Sequence, residues 1–475
     1  MSTLKNNIIL DADAYKPGHG FVLPANTTQS ISYIEARRKG KIIVPFGLQM
    51  WIESYLTTPI TRSDVDEADE VYGGAGVPFN RKPWDIIVNE MNGFLPLSIM
   101  AIPEGTVTRS STPLVSVTNT DDRFAFLPSF IETSLQRGVW YPSTMASLDY
   151  ESYKQLKYFY DHGSDNPSML GFALHSFGSR GVSTQETAAV GGLSHLVYFS
   201  GTDDMVALRA AKKFYNAPLA GFSVAASEHS IQCAYGKNDQ RGYIKAMLDQ
   251  FAKPGAIVSI VLDGYDIYRE VGLICTEFKD QIVASEAKIV CRPDSGDMYE
   301  VVPTLLKMLS DAYGVTMNSK GKAVINNVGI IQGDGIDRMS LAILAQKVSD
   351  LGFAPENVVM GSGGGLLQKV DRDTLSFAQK TCAMKINDVW VDTVKSPITD
   401  SGKKSKGGVI DTSRMVEYFR NGMQLIKDDL SVIRARALDD SNPLCCYESE
   451  GQYVIGNVNT QPKAWTDKNT EWKMQ

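Results

Sequence analysis

The sequence predicts an α/β protein: an irregular parallel β/α barrel preceded by a separate, non-barrel sheet unit. Three observations predict it. From Gly171 to Met360, short apolar runs of strand character recur, each followed by polar or glycine-bearing residues and then a helix-like stretch. Repeated strand–helix units imply a parallel sheet, and so many in succession favour closure into a barrel. Residues 97–118 instead alternate short β-rich runs with Pro and Gly, the mark of a separate small sheet. Finally, 475 residues exceed what one barrel absorbs. The expected division is 1–164 for the N-terminal sheet segment with a linking helix and 165–384 for the barrel, followed by a C-terminal segment, 385–475.

In chain order, Asn7-Ile-Ile-Leu10 reads as a short strand, and Asp11 to His19 as a loop, because Pro17 and Gly18 stop a helix there. That loop exposes Asp13, Tyr15 and Lys16, which as a bland reading are solvated connectors. Ser30 to Arg37 alternates apolar and polar residues as a half-buried strand does and delivers Arg37 at its end. Pro45 to Leu56 has helical spacing. Ser143 to Tyr160 predicts a helix burying Met145, Leu148, Leu156 and Phe159, with Gly163 placed to end it. The barrel strands are then expected in the runs 171–177, 196–199, 221–225, 256–262, 288–291, 328–331 and 357–360.

The residues just past each run are informative, because a barrel places its chemistry at the C-terminal ends of its strands. In order these are Gly178-Ser-Arg-Gly-Val182, Gly201-Thr-Asp203, Ser227-Glu-His-Ser230, Asp263-Gly-Tyr-Asp266, Arg292-Pro-Asp-Ser-Gly296, Gln332-Gly-Asp-Gly335 and Gly361-Ser-Gly-Gly-Gly365. Singly, an Asp or Arg past a strand is often a helix cap or a surface ion pair. Together they predict one rim that binds phosphates through glycine loops and Arg292, and hydroxyls or a metal through Asp263, Asp294 and Asp334. The last loop runs on into Leu-Leu-Gln-Lys369 and reads as a phosphate cradle. It is neither a P-loop nor a dinucleotide fingerprint, since its lysine is in no G-K-[ST] and its third glycine comes too early. A lone histidine is more often structural than catalytic, but Glu228 beside His229 can orient the imidazole. No Ser-His-Asp order accompanies it, so acyl transfer is disfavoured.

A net charge of −7 argues against a nucleic-acid or anionic-membrane surface. Against that acidic average, Arg372, Lys380, Lys395, Lys403, Lys404 and Lys406 concentrate positive charge late in the chain, with Lys403 to Lys406 reading as a solvated face. Six cysteines with no C-x-x-C and no histidine at ligand spacing read as thiols in a reducing compartment. The first residues lack a signal-peptide core and no run reaches membrane-spanning length, so a cytoplasmic location is expected.

Seven motifs in order carry a family resemblance: Asp13-Ala-Tyr-Lys16, Phe177 to Thr187, Gly201-Thr-Asp203, Glu228-His-Ser230, Arg292 to Gly296, Gln332 to Gly335 and Gly361 to Lys369. Over nearly its whole length the chain resembles the nicotinamide phosphoribosyltransferase family, of the type II phosphoribosyltransferases. The resemblance implies transfer of a phosphoribosyl group from phosphoribosyl diphosphate to nicotinamide, giving nicotinamide mononucleotide and diphosphate in NAD salvage. It further implies a second α/β sheet domain built from the N- and C-terminal segments, to which 385–475 returns, together with magnesium (Mg2+), ATP as co-substrate acting through phosphorylation of His229, and a homodimer with shared active sites, with no nucleic-acid or membrane partner. It assigns ring stacking to Phe177 of one subunit and Tyr15 of the other, the amide contact to Asp203, and base, ribose and phosphate contacts to Arg180, Arg292, Asp294, Gly333, Asp334, Gly363 and Gly364. Asp13 and Arg37 join the ribose and phosphate set, Arg372, Lys380 and Lys395 meet the diphosphate end, and His229, Asp294, Asp263 and Arg292 are the catalytic candidates. Ser179 and Ala378 depart from the family pattern, where relatives carry an aromatic residue and a serine, and the loop after Lys39 is short. Nicotinate phosphoribosyltransferase, or a nucleotide-binding protein without activity, are the alternative readings.

Overall fold

The computed structural model describes residues 6–399, 404–449 and 452–460 and divides into two units. One comprises residues 148–212 and 217–369; it is the predicted barrel. Its strands are β1 (Leu174–Ser176), β2 (Gly201–Thr202), β3 (Ala225–Ala226), β4 (Ile257–Val261), β5 (Lys288–Arg292), β6 (Val328–Gln332) and β7 (Val358–Ser362). They lie in the order β2-β1-β7-β6-β5-β4-β3, with every pairing parallel. The curled sheet meets itself just before β3: Thr202 N–H donates to Phe222 O at 2.9 Å and Phe222 N–H to Ser200 O at 2.7 Å. Parallel strands covered on both faces need side chains that are apolar all round. Val258, Ile260, Ile289, Cys291, Val328 and Ile330 accordingly are all buried.

Acidic residues start the barrel helices. Asp266 accepts from the amides of Tyr268 and Arg269, Asp297 from Tyr299, and Asp337 from Met339 and Ser340. These are N-caps, each worth about 1 kcal/mol of helix stability. The rim acids therefore fall into two classes, caps on one hand and Asp203, Asp263 and Asp294 on the other.

The second unit, residues 1–147, 213–216 and 370–475, interleaves strands from both chain ends. Its seven-stranded sheet runs in the order Val389–Asp392, Phe377–Ile386, Thr27–Ala36, Val115–Asn119, Leu97–Ala101, Val416–Arg420, Met423–Gln424, antiparallel throughout. Trp51, Trp84, Phe130, Phe377 and Phe419 fill its core.

Five expectations need correction. The barrel does not extend to residue 384, because Phe377–Ile386 is a strand of the sheet unit that pairs with Thr27–Ala36. Residues 7–10 form a turn closed by Leu10 N–H to Asn7 O at 3.0 Å, not a strand. Residues 196–199 follow the helix Gln185–His195, and the strand comes two residues later as β2. A buried helix end and a buried strand share the same apolar composition, so periodicity cannot separate them over four residues. The helix expected from Ser143 begins at Glu132 and ends at Gly163, with Pro142 inside it. Lys406 is no part of a solvated face, since its ammonium pairs with buried Glu35; Lys403 lies outside the described residues.

Candidate active site

Arg180, Asp203, Glu228, His229, Arg292 and Asp294 line one cavity of about 670 Å³ in the barrel unit. Each comes from a strand end or the loop after it, the arrangement the sequence predicts. His229 opens the short helix His229–Ala234, and its Nε2 lies 2.9 Å from Asp263 Oδ1. Glu228 does not orient the ring; its carboxylate accepts from Ser230 Oγ instead. Asp263 is 4 % exposed at its side chain, and its other oxygen accepts from Ser295 Oγ at 2.5 Å and from Asp294 N–H at 2.9 Å. Burial would push this carboxyl up, but the bonds from Ser295, His229 and the Asp294 amide outweigh it and hold it below the usual range. With Oδ1 and Oδ2 so engaged, Asp263 positions the imidazole of His229.

A carboxylate can only accept, so His229 Nε2 carries a proton, and Nδ1 makes no hydrogen bond among the described residues. Nδ1 is 3.9 Å from Asp294 Oδ2, whose own nearest cation is Arg292 Nη2 at 4.0 Å. Arg292, at the end of β5, has a buried Nε with no protein partner. A guanidinium held in a cavity wall with an unmet donor is a ready anion site. Gly333 sits against Asp294: a Cβ there would be 2.7 Å from Asp294 Oδ1. Asp334 is exposed.

The adjacent acids Asp203 and Asp204 do different work. Asp204 fastens the turn after β1, accepting from Ser176 Oγ at 2.5 Å and Ser179 N–H at 2.9 Å. Asp203 faces the cavity, and its Oδ1 accepts from His175 Nε2 at 2.9 Å and Ser223 Oγ at 2.5 Å. Burial would raise this carboxyl, but those two bonds, with the charges of His175 and Arg292, hold it low. Phe177 is not in the cavity wall. Its half-buried ring lies against Gly361 and 4.9 Å from the His175 ring.

The glycine loop is shaped by close approach. A Cβ on Gly361 would lie 2.0 Å from Phe177 Cε2, and one on Gly181 would lie 2.8 Å from Gly364 Cα. None of Gly361, Gly363, Gly364 and Gly365 has positive φ. The loop leads into the short helix Gly364–Leu367, whose first amides have no intrahelical partner.

The remaining predicted residues belong to the sheet unit. Asp13, Tyr15 and Arg372, with Glu132 and Arg137, line a cavity of about 370 Å³ there. Tyr15 is 60 % exposed and donates to Asp13 Oδ2 at 3.0 Å. Lys16, expected in solvent, is 4 % exposed because its ammonium reaches Glu132 and Ser129. Lys380 is half-buried; burial, and repulsion from Arg37, Lys395 and Lys16 set against the attraction of Glu132, keep its ammonium below its ordinary value. Arg37 Nε is buried without a partner. Four cations around one acid form a second anion-seeking cluster.

The sequence profile of the nicotinate phosphoribosyltransferase (NAPRTase) family matches residues 172–425, and that of the nicotinamide phosphoribosyltransferase N-terminal domain matches residues 7–99. The chain belongs to the nicotinate phosphoribosyltransferase family. It is 42 % identical over 469 residues, 97 % of this chain and 98 % of the relative, to a protein of Xanthomonas campestris pv. campestris named nicotinamide phosphoribosyltransferase. A protein of that name from Acinetobacter baylyi is 32 % identical, with 72 % of this chain and 76 % of the relative covered. Among solved structures, the human nicotinic acid phosphoribosyltransferase superposes with a TM-score of 0.55 at 14 % identity, covering 96 % of this chain and 99 % of that one. The nicotinate-nucleotide pyrophosphorylase of Pyrococcus furiosus gives 0.57 at 12 %, with 93 % and 98 % covered; at such identities the likeness is one of fold.

As a member of this family the chain is a phosphoribosyltransferase of NAD salvage. Among the described residues no helix is long and apolar enough to cross a membrane, and no cluster of three or more His, Cys, Asp or Glu side chains could hold a metal ion. Sequence reasoning overlooked His175, Ser223 and Asp204 in the family site. The available signal was His175 itself, a polar residue inside an apolar strand and two positions before Phe177.

Proposed function

We propose that the chain transfers the phosphoribosyl group of phosphoribosyl diphosphate to nicotinamide, releasing diphosphate. The observation that carries this reading is Asp203: a carboxylate in the cavity wall, kept ionised, with one oxygen already tied to His175 and Ser223. Such a group accepts from a carboxamide NH₂ and repels the carboxylate of nicotinate. The pyridine nitrogen attacks the anomeric carbon of the pentose while the bond to the diphosphate oxygen breaks. Because the nucleophile is neutral and the leaving group highly charged, the protein's task is to position the first and stabilise the second. Phe177, whose ring lies beside the cavity against His175 and Gly361 and not in its wall, is the candidate stacking face on one side of the ligand ring and Tyr15 of the partner subunit on the other, each worth about 0.5–1.5 kcal/mol beyond area burial. Arg180 and Arg292, both in the cavity wall of the barrel unit, meet ribose and phosphate.

Magnesium fits the donor set sparingly: Asp294 is a cavity carboxylate whose oxygens accept no hydrogen bond among the described residues, its nearest partners being His229 at 3.9 Å and Arg292 at 4.0 Å, and this cation is commonly held by one carboxylate plus substrate phosphates. Bound there it would supply charge neutralisation to the departing diphosphate. ATP acts as co-substrate: His229 Nδ1 attacks the γ-phosphorus, the bond to the β-γ bridging oxygen breaks, and ADP leaves with that electron pair. We place the enzyme in the cytoplasm, a reducing compartment that suits a chain whose six cysteines show no C-x-x-C spacing.

Wild-type enzyme is expected to turn over nicotinamide far better than nicotinate, and Asp203→Ala to lower kcat/KM for nicotinamide by about 10- to 100-fold, the loss of a charged hydrogen bond. Mass-spectrometric quantification of the mononucleotide product measures both. Equal turnover of nicotinate, or an unchanged preference in the variant, refutes the reading. Nicotinate is the second candidate because Arg180 offers a cation in the same cavity. Incubation with γ-labelled ATP is expected to label wild type and not His229→Ala; label entering both proteins equally excludes His229. For the shared site, mixing inactive Tyr15→Ala and Phe177→Ala copies should restore part of the activity.

A further inference from the structure

His175 stands where β1 meets its neighbours, level with Gly201 of β2 and Gly361 of β7. It is 9 % exposed, and its Nε2 is 2.9 Å from Asp203 Oδ1. Since Oδ1 can only accept, the histidine proton is fixed on Nε2. Ser223 Oγ donates to the same oxygen at 2.5 Å, and the Asp203 amide is anchored to Ser176 O at 2.9 Å. Room for the imidazole depends on Gly201, where a Cβ would lie 2.8 Å from His175 Nδ1. Gly201 is itself held from behind: its carbonyl accepts from His195 Nε2 at 3.2 Å, and the fully buried His195 is paired through Nδ1 with Asp149 at 2.9 Å. Backbone, carboxylate and imidazole thus form one braced unit. It consumes the hydrogen-bonding capacity of Oδ1 towards the protein and leaves Oδ2 for a ligand.

We propose that His175, assisted by Ser223, is a positioning residue that sets the choice between the uncharged and the anionic pyridine, by pinning Asp203 so that Oδ2 meets the ligand's carboxamide as an ionised acceptor. The inference rests on the nicotinamide reading. Without the pin the carboxylate is free to rotate away or to take up a proton, and a protonated acid donates to the carboxylate of nicotinate instead of repelling it.

The test measures kcat and KM for nicotinamide, nicotinate and phosphoribosyl diphosphate in wild type, His175→Met, His175→Gln and Ser223→Ala. In His175→Met the KM for nicotinamide should rise about tenfold and the nicotinamide-to-nicotinate ratio of kcat/KM fall about tenfold, while the KM for phosphoribosyl diphosphate stays within about twofold. His175→Gln, which can offer an N–H near the Nε2 position, should recover most of both effects. Ser223→Ala should move the ratio the same way by about threefold, a neutral donor contributing less. An unchanged ratio in His175→Met, or a uniform loss for all three substrates that glutamine does not rescue, overturns the proposal. If His175→Met does not fold, Ser223→Ala decides alone: a fallen ratio supports the proposal and an unchanged one overturns it. Wild-type kinetics test the substrate reading separately, since a wild type that prefers nicotinate defeats that reading whatever the variants do.

Discussion

Arg292→Met is expected to lower kcat/KM for phosphoribosyl transfer by about 10²- to 10³-fold, the usual cost of removing one preorganised donor from a developing negative charge. The side chain is 16 % exposed, its Nε is buried with no protein acceptor, and its nearest carboxylate, Asp294, is 4.0 Å from Nη2. A cation desolvated without a close partner lowers the stability of the empty protein and becomes favourable only when an anion arrives. The same substitution should therefore leave the denaturation midpoint unchanged or raise it, so that activity and stability move apart. Arg292→Lys keeps the charge but loses the planar fork, and should recover only part of the activity. Steady-state kinetics beside a denaturant titration measure both quantities. A marked fall in stability of Arg292→Met would mean that the residue is chiefly a structural pin.

Gly361→Ala should do the opposite and fail through packing. In β7 this glycine lies level with His175, and an added Cβ would sit 2.0, 2.8 and 2.9 Å from Cε2, Cδ2 and Cζ of Phe177. The ring is rigid and wedged between strands, so relief requires Phe177 to leave its place. Overpacking of this kind costs about 1–3 kcal/mol, and the depth of this overlap argues for the upper end. The KM for the heterocycle should rise as well, because the displaced ring is the proposed stacking face. Gly365→Ala, four residues on, is the control: its nearest neighbours would be 3.5 and 3.6 Å away and its φ is not positive. Its stability should stay within about 0.5 kcal/mol of wild type. Equal stability of the two alanine variants would show that the strand spacing at Phe177 is looser than the structure gives.

Several parts of the site were legible in the sequence because they are written locally. A buried parallel strand needs an unbroken apolar run, and the polar residue that ends such a run must lie at the rim, so Asp203, His229, Arg292 and Asp294 could be placed in one cavity before any fold was seen. Other assignments were ambiguous in kind. The run 196–199 was apolar enough for a strand but continues a helix whose last residue, His195, stacks on Phe199 at 5.1 Å. Glu228 is next to His229 in the chain, yet Asp263, from the end of another strand, holds its ring. Asp266, Asp297 and Asp337 look like rim acids and are helix caps.

What the sequence determined by itself was the alternation of strand and helix, the supply of phosphate-seeking groups at the strand ends, and the family, since each depends on residue type and order along the chain. What only the tertiary structure decided was which atom faces which: that Asp263 takes Nε2 of His229, that Asp203 is braced through one oxygen by His175 and Ser223, and that Gly361 and Gly181 are glycines for space and not for conformation. The physical reason is range. Hydrophobic period and turn chemistry act over a few neighbouring residues, whereas hydrogen bonds and steric contacts act over about 3 Å between residues far apart in the chain, and no pattern along one strand encodes them.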